Sequence, residues 1–192
     1  MELQHLNVKL YLEDSRQVDL AALVPVFHQW IQEQSCEELL IDVADYRHVF
    51  AGPGVVLVGH QADYSLDNSN GRLGVRYNRK AVVEGTNQDR FRQALRAALV
   101  ACQRLEADQA LGGRIRFNRR DLELSVNDRL LACNTTETYD SLKPELQSFF
   151  QKLFGGNTHS MKHNPDPRRL FSVEVSLARP IDPDQLMANI SA

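Results

Sequence analysis

The sequence is poor in the residues and runs that announce a function. It has three cysteines, Cys36, Cys102 and Cys133, with no C-x-x-C pair among them. That excludes a zinc ribbon and a dithiol redox motif, and reads as three reduced thiols of a cytoplasmic protein. No apolar run approaches the roughly 18–20 residues that span a bilayer, so no membrane partner is expected. The opening MELQHLNVKLYLED has no basic stretch followed by an apolar one and is not expected to be a signal peptide. There is no G-x-S-x-G elbow, no Walker loop and no G-x-G-x-x-G. Gly52-Pro53-Gly54 lacks the Lys-Ser/Thr of a phosphate cradle and reads as a turn, in which the glycine after the proline accepts a positive φ.

What remains is an ordinary globular composition. The chain has 192 residues, 43% hydrophobic and 24% charged. That length suits one domain over 1–192, with enough core to fold without disulfides or a structural metal. The net charge of −3 is unevenly spread. Residues 1–71 hold 3 Lys+Arg against 11 Asp+Glu, residues 72–129 hold 13 against 7, and the remainder 6 against 7. The basic segment is mostly arginine, suited to forked pairing with carboxylates or phosphates. Pairing of acidic and basic faces, within the fold or between subunits, explains this balance better than nucleic-acid binding, for which no reader motif appears.

Periodicity places the elements. VKLYLED (8–14) alternates as a strand. Asp19 is positioned to cap a helix carrying Leu20, Leu23, Val24, Phe27, Trp30 and Ile31 on one stripe, regular from about Pro25. ELLIDVADY (38–46) reads as a strand. Residues 54–64 and 72–85 read as two strands of a hairpin looped through SLDNSNG. Thr86 and Asp89 predict a capping box on a helix over about 87–108. GRIRFN, DLELSV and RLLACN follow as a β region with a hairpin at Asn127-Asp128. A helix is expected over 141–154, with Pro144 in its first turn. Then come a long polar loop over 155–169, a strand over 170–178, and a tail or short helix over 179–192. The sum is an α+β fold. About eight strands form a mixed, mainly antiparallel sheet, with three amphipathic helices packed on it. The opening β-α-β-β is compatible with a split βαβ unit, and no internal repeat stands out.

Two functional readings follow. The first is a binding or protein-interaction domain, with self-association among its partners, and with Arg72, Arg76 and Lys80 as the polyanion or partner surface. A small anionic ligand fits the same basic face. The second is a small-molecule or Mg²⁺-dependent phosphoryl enzyme. If the strands at 8–12 and 38–43 are parallel neighbours, Glu13, Asp14, Asp42 and Asp45 gather at one sheet edge, where carboxylates hold Mg²⁺ with waters or phosphates. His48 or His60 would then be the acid/base, since histidine titrates near neutral pH. Asp42, Asp45, His48, His60 and Tyr64 are the ligand-binding candidates. Strand parity already separates several of them: Val56, Val58, His60, Ala62 and Tyr64 are expected on one face, and Asp63 on the other. No catalytic motif decides whether the chain is an enzyme, and no run matches a family of assigned activity.

Overall fold

The structure, a computed structural model, describes residues 1–16 and 18–191. Eight strands form one sheet in the order β2-β3-β4-β5-β1-β6-β8-β7. These are β1 Leu6–Leu12, β2 Leu40–Tyr46, β3 Gly54–Gly59, β4 Ala62–Asp67, β5 Gly74–Arg79, β6 Phe117–Val126, β7 His159–His163 and β8 Phe171–Leu177. Every neighbouring pair is antiparallel. Four helices accompany it: α1 Leu23–Glu33, α2 Asn87–Ala107, α3 Thr136–Leu153 and α4 Pro183–Ser191. The α+β fold with a mainly antiparallel sheet is therefore the architecture, with one helix more than the sequence predicts.

Alternation in the central strands dictates the layering. Leu6, Val8, Leu10 of β1, Val75 and Tyr77 of β5, and Leu122, Leu124, Val126 of β6 are buried in one core with Phe91, Leu95, Leu99 and Cys102 of α2. α2 packs on β1 and β5, α1 on β2 and β3, and α4 against α2 and α3. The opposite face carries polar side chains. Register sets Ser65, Arg76, Lys9, Glu123, Glu174 and Lys162 side by side across β4, β5, β1, β6, β8 and β7.

The strand order is mirrored about the β1–β6 seam. Each half begins with a central strand and a helix, runs out to an edge, returns beside its first strand and ends in a helix. The first half gives β1-α1-β2-β3-β4-β5-α2, with β5 beside β1. The second gives β6-α3-β7-β8-α4, with β8 beside β6. The first half carries two extra strands. This topological repeat has no counterpart in sequence.

Local chemistry explains where expectation and structure agree. Asp19 accepts the Ala21 N–H and starts the turn before α1. Thr86 and Asp89 form the full capping box of α2. Gly54 takes φ +66° after Pro53, a conformation costly to any residue with a Cβ.

Four expectations are corrected. Residues 54–64 are two strands, β3 and β4, because the chain reverses at His60-Gln61, a pair without glycine, asparagine or proline to signal it. The reversal moves Val55 and Leu57 into the core with Tyr64, and leaves Val56 and Val58 on the other face. RLLACN is not a strand: Asp128 Oδ1 accepts the N–H groups of Leu130 and Leu131, closing a helical turn. α3 starts earlier, capped by Thr135, so Pro144 falls in its interior. The expected loop over 155–169 contains β7, in which half-buried His159, Met161 and His163 alternate with exposed Ser160 and Lys162. Of the tail or short helix expected over 179–192, the structure has the helix: α4, begun by Asp182 accepting the Asp184 N–H, with Leu186 and Ile190 buried.

Candidate functional site

The acidic strand ends do not meet. β1 and β2 are not neighbours: β3, β4 and β5 lie between them, a separation of about 19 Å at the usual strand spacing. Glu13 and Asp14 follow β1, while Asp42 and Asp45 sit on the edge strand. Each aspartate is engaged locally. Arg16 holds Asp14 (Nη2–Oδ2 2.9 Å) and Arg47 holds Asp45 (2.7 Å). The arginine's hydrogen bonds draw each carboxyl down to about 2. Asp42 Oδ1 accepts the Val43 N–H at 2.8 Å. Among the described residues, no three His, Cys, Asp or Glu side chains gather as metal ligands would. His48 lies exposed in the β2–β3 loop near Asp45, and His60 lies exposed at the β3–β4 reversal.

The three basic candidates are engaged within the fold. Lys80 reaches Asp63 at 2.6 Å. Arg72 pairs with Asp121 at 3.4 Å and lies 3.7 Å above the Tyr11 ring. Arg76 pairs with Glu123 at 3.2 Å and stands 3.8 Å from Asp67, which Lys9 also holds at 2.6 Å. Lys9 and Asp67 are buried despite their charge, and Ser69 adds its hydroxyl to the same carboxylate. Burial lowers the Lys9 pKa against the pull of Asp67. On Asp67 burial pushes upward, but Arg76 and Lys9 outweigh it and hold the carboxyl below its ordinary value. A buried pair of this kind fixes position more than it adds stability. The edge strand β2 exposes Ile41 and Tyr46, with Leu39, Val49 and Phe50 beside them. Its register shifts between Leu40 and Asp42, an irregularity that discourages pairing with another strand.

Of the ligand candidates, Tyr64 lines a cleft. α1 ends at Gln34 in the left-handed conformation (φ 46°). The Gln34 side chain then clamps the exit: its Nε2 donates to Ile31 O and Leu40 O, and its Oε1 accepts the Leu40 N–H. The clamped segment drops Glu38 into the interior, its side chain 3% exposed. There Tyr64 Oη donates to Oε2 at 2.7 Å and Tyr77 Oη to Oε1 at 2.8 Å. Gln93 Nε2 of α2 donates to Tyr77 Oη at 2.8 Å, and Arg79 stands 3.7 Å from the carboxylate. Both phenols are pushed far above their usual range, burial being the largest cause, so they remain donors. The sequence showed Tyr64 and Tyr77 as strand residues but gave no sign of Glu38, which reads only as the start of a strand.

Above this floor lies a cleft of about 570 Å³ between the 33–38 segment and α2. Cys36, Glu38 and Tyr64 form one side; Ala97, Val100 and Ala101 form the other; Arg96 and Arg104 stand at its rim with Glu33 and Glu37 opposite. The volume lies in the range of small-molecule sites. Its chemistry is that of holding rather than reacting. Glu38 has both oxygens occupied, and burial pushes the Cys36 thiol up to about 11, leaving little thiolate at neutral pH. A second, narrow cavity of about 50 Å³ between α2, α4 and β6 is lined mainly by Leu99, Cys102, Phe117 and Leu122 and is a packing gap.

No protein-family model, curated protein or solved structure matches the chain. The structure contains no helix long and apolar enough to cross a membrane among the described residues.

Proposed function

We propose that the protein is a binding domain that receives a small molecule in the cleft between the 33–38 segment and α2. The observation that carries this reading is the cleft's construction. A buried carboxylate locked by two tyrosines fixes one wall, a regular helix forms the other, and two arginines stand at the mouth. Rigid walls with a few placed polar groups are what small-ligand sites require. A cytoplasmic setting accords with the three free cysteines.

The binding reading is preferred to the Mg²⁺-dependent one because the carboxylates and histidines named for that chemistry are dispersed. It is preferred to self-association through charged faces because Arg72, Arg76 and Lys80 already hold partners of their own chain.

Cys36 reports occupancy directly. In a Cys133→Ser variant, Cys36 is the half-buried thiol left beside buried Cys102. Alkylation of Cys36 is measured while a set of anionic, cationic and neutral small molecules is added, with thermal melting alongside. A compound that slows Cys36 labelling and raises the melting temperature supports the reading. A full set that changes neither rate nor melting overturns it.

A further inference from the structure

We propose that the cleft selects an organic dianion lying along α2, with one anionic end on Arg96, the other on Arg104, and an apolar body between. The inference rests on the binding reading above and adds the class of ligand.

Three features of the cleft carry it. The first is spacing. Arg96 and Arg104 are eight residues apart on one regular helix, about 12 Å along its axis. Both stand on the cleft, with Ala97, Val100 and Ala101 between them. A bound molecule therefore meets charge at both ends and methyl groups in the middle.

The second is that neither guanidinium is committed. The Arg96 pair with Glu37 is long, 3.7 Å, between side chains 53% and 76% exposed, and so contributes little. Arg104 makes no ion pair within 4 Å among the described residues; its guanidinium lies 5.8 Å from the Trp30 ring centroid and acts on Glu33 only at longer range. This contrasts with Arg76 and Arg79, whose guanidinium groups are mostly covered and whose partner carboxylates, Glu123 and Glu38, are buried. A guanidinium gains most from a forked carboxylate or phosphate, and these two are free to take one each.

The third is the disposition of the opposing acids. Glu33 is occupied on its own side, accepting from Gln29 Nε2 at 2.8 Å and Ser35 Oγ at 3.1 Å. Glu37 is the residue that a ligand anion must displace from Arg96. It acts as an internal competitor, and its removal strengthens binding if the ligand end is negative.

Calorimetry at low ionic strength tests this with succinate, adipate, suberate and sebacate. Octanoate serves as the monoanion of matched length and octane-1,8-diol as the neutral analogue. The expected result is an affinity optimum within the dicarboxylate series, at least about tenfold tighter than octanoate, since one forked charge-assisted contact is lost with each missing anion. Arg96→Ala and Arg104→Ala are each expected to weaken the best dicarboxylate about tenfold, and Glu37→Gln to tighten it. All three positions are exposed, and circular dichroism confirms that the variants fold. Octanoate binding as tightly as the best diacid, indifference to Arg104→Ala, weakening by Glu37→Gln, or no binding by any diacid each overturns the proposal. Cys36 labelling separates the two levels. If neutral or cationic compounds protect Cys36 while diacids do not, the dianion fails and the cleft stands. If nothing protects Cys36, both fail.

Discussion

Tyr64 and Tyr77 are direct cross-strand partners on β4 and β5, their ring centroids 5.2 Å apart, and each donates its hydroxyl to a different oxygen of Glu38. The pair converts a charge that burial would otherwise disfavour into a fixed point. The 33–38 segment is thereby tied to the sheet, and the wall of the cleft with it.

Removing one donor should be costly out of proportion to its size. Tyr64→Phe leaves Glu38 Oε2 without its donor and is expected to lower stability by about 1–3 kcal/mol. It should also raise the rate of Cys36 alkylation as the segment loosens. Urea unfolding and thiol labelling on the same variant measure both. Unchanged stability would mean that Glu38 finds another partner.

The buried Lys9–Asp67 pair should behave non-additively. Lys9→Met is expected to cost about 3 kcal/mol, because Asp67 stays buried with only Arg76 and Ser69 to answer it. Lys9→Met combined with Asp67→Leu should cost clearly less than the two single changes added together. A double-mutant cycle by denaturant titration measures the coupling. Simple additivity would show that the two side chains do not share one site.

Acid stability follows from the same aspartate. Its folded pKa lies below its ordinary value, so the unfolded chain binds its proton first as pH falls. The contribution is complete above the unfolded value of about 3.9 and is lost as pH drops through the lower folded value. Melting temperature should therefore fall steeply below about pH 4. Asp67→Asn should lower stability at neutral pH and flatten part of the acid slope. An acid limb identical in wild type and Asp67→Asn would assign the effect to other carboxylates.

Asn134 Nδ2 donates to Asn164 O and Asp166 O, at 2.9 and 2.8 Å, which leaves its Oδ1 as the acceptor for His163 Nε2 at 2.8 Å. His163 therefore carries its proton on Nε2, and protonation at Nδ1 leaves this bond intact. The ring also stacks on Tyr139 with centroids 4.9 Å apart. His163→Phe keeps the stacking, loses the donor, and is expected to cost about 1 kcal/mol. Nitrogen chemical shifts should report the Nε2–H tautomer; an Nδ1–H tautomer would reverse the assignment.

How much of this was legible depended on the range of the physics involved. α2 announced itself through the Thr86–Asp89 box and an apolar stripe from Phe91 to Leu105, because capping and amphipathicity are local. The turn at His60-Gln61 was silent because neither residue favours a turn; its closure comes from elsewhere, with His60 N–H donating to Leu39 O and Lys80 Nζ to Gly59 O. Pro144 misplaced the start of α3 because proline most often marks a first turn. Of the site, Tyr64 was visible as a polar-tipped strand residue, while Glu38 was not. What distinguishes Glu38 is two hydroxyls, 26 and 39 residues away, meeting on it. Arg96 and Arg104 looked like the solvated side of a helix. Only the path of the 33–38 segment over α2 turns them into the rim of a cleft.

The mirrored strand order makes the β1–β6 seam a natural line of division. The covalent link across it runs from α2 through Gly112-Gly113 to β6, while the seam itself is an antiparallel ladder, regular from Leu6–Val126 to Leu10–Leu122 and shifted in register before Leu12–Phe117. Two separately synthesised pieces, residues 1–112 and 113–192, each present one central strand, β1 or β6, with one edge left unpaired. Such pieces should behave as complementary fragments: poorly soluble alone, yet reconstituting one folded unit when co-expressed, recoverable as a one-to-one complex.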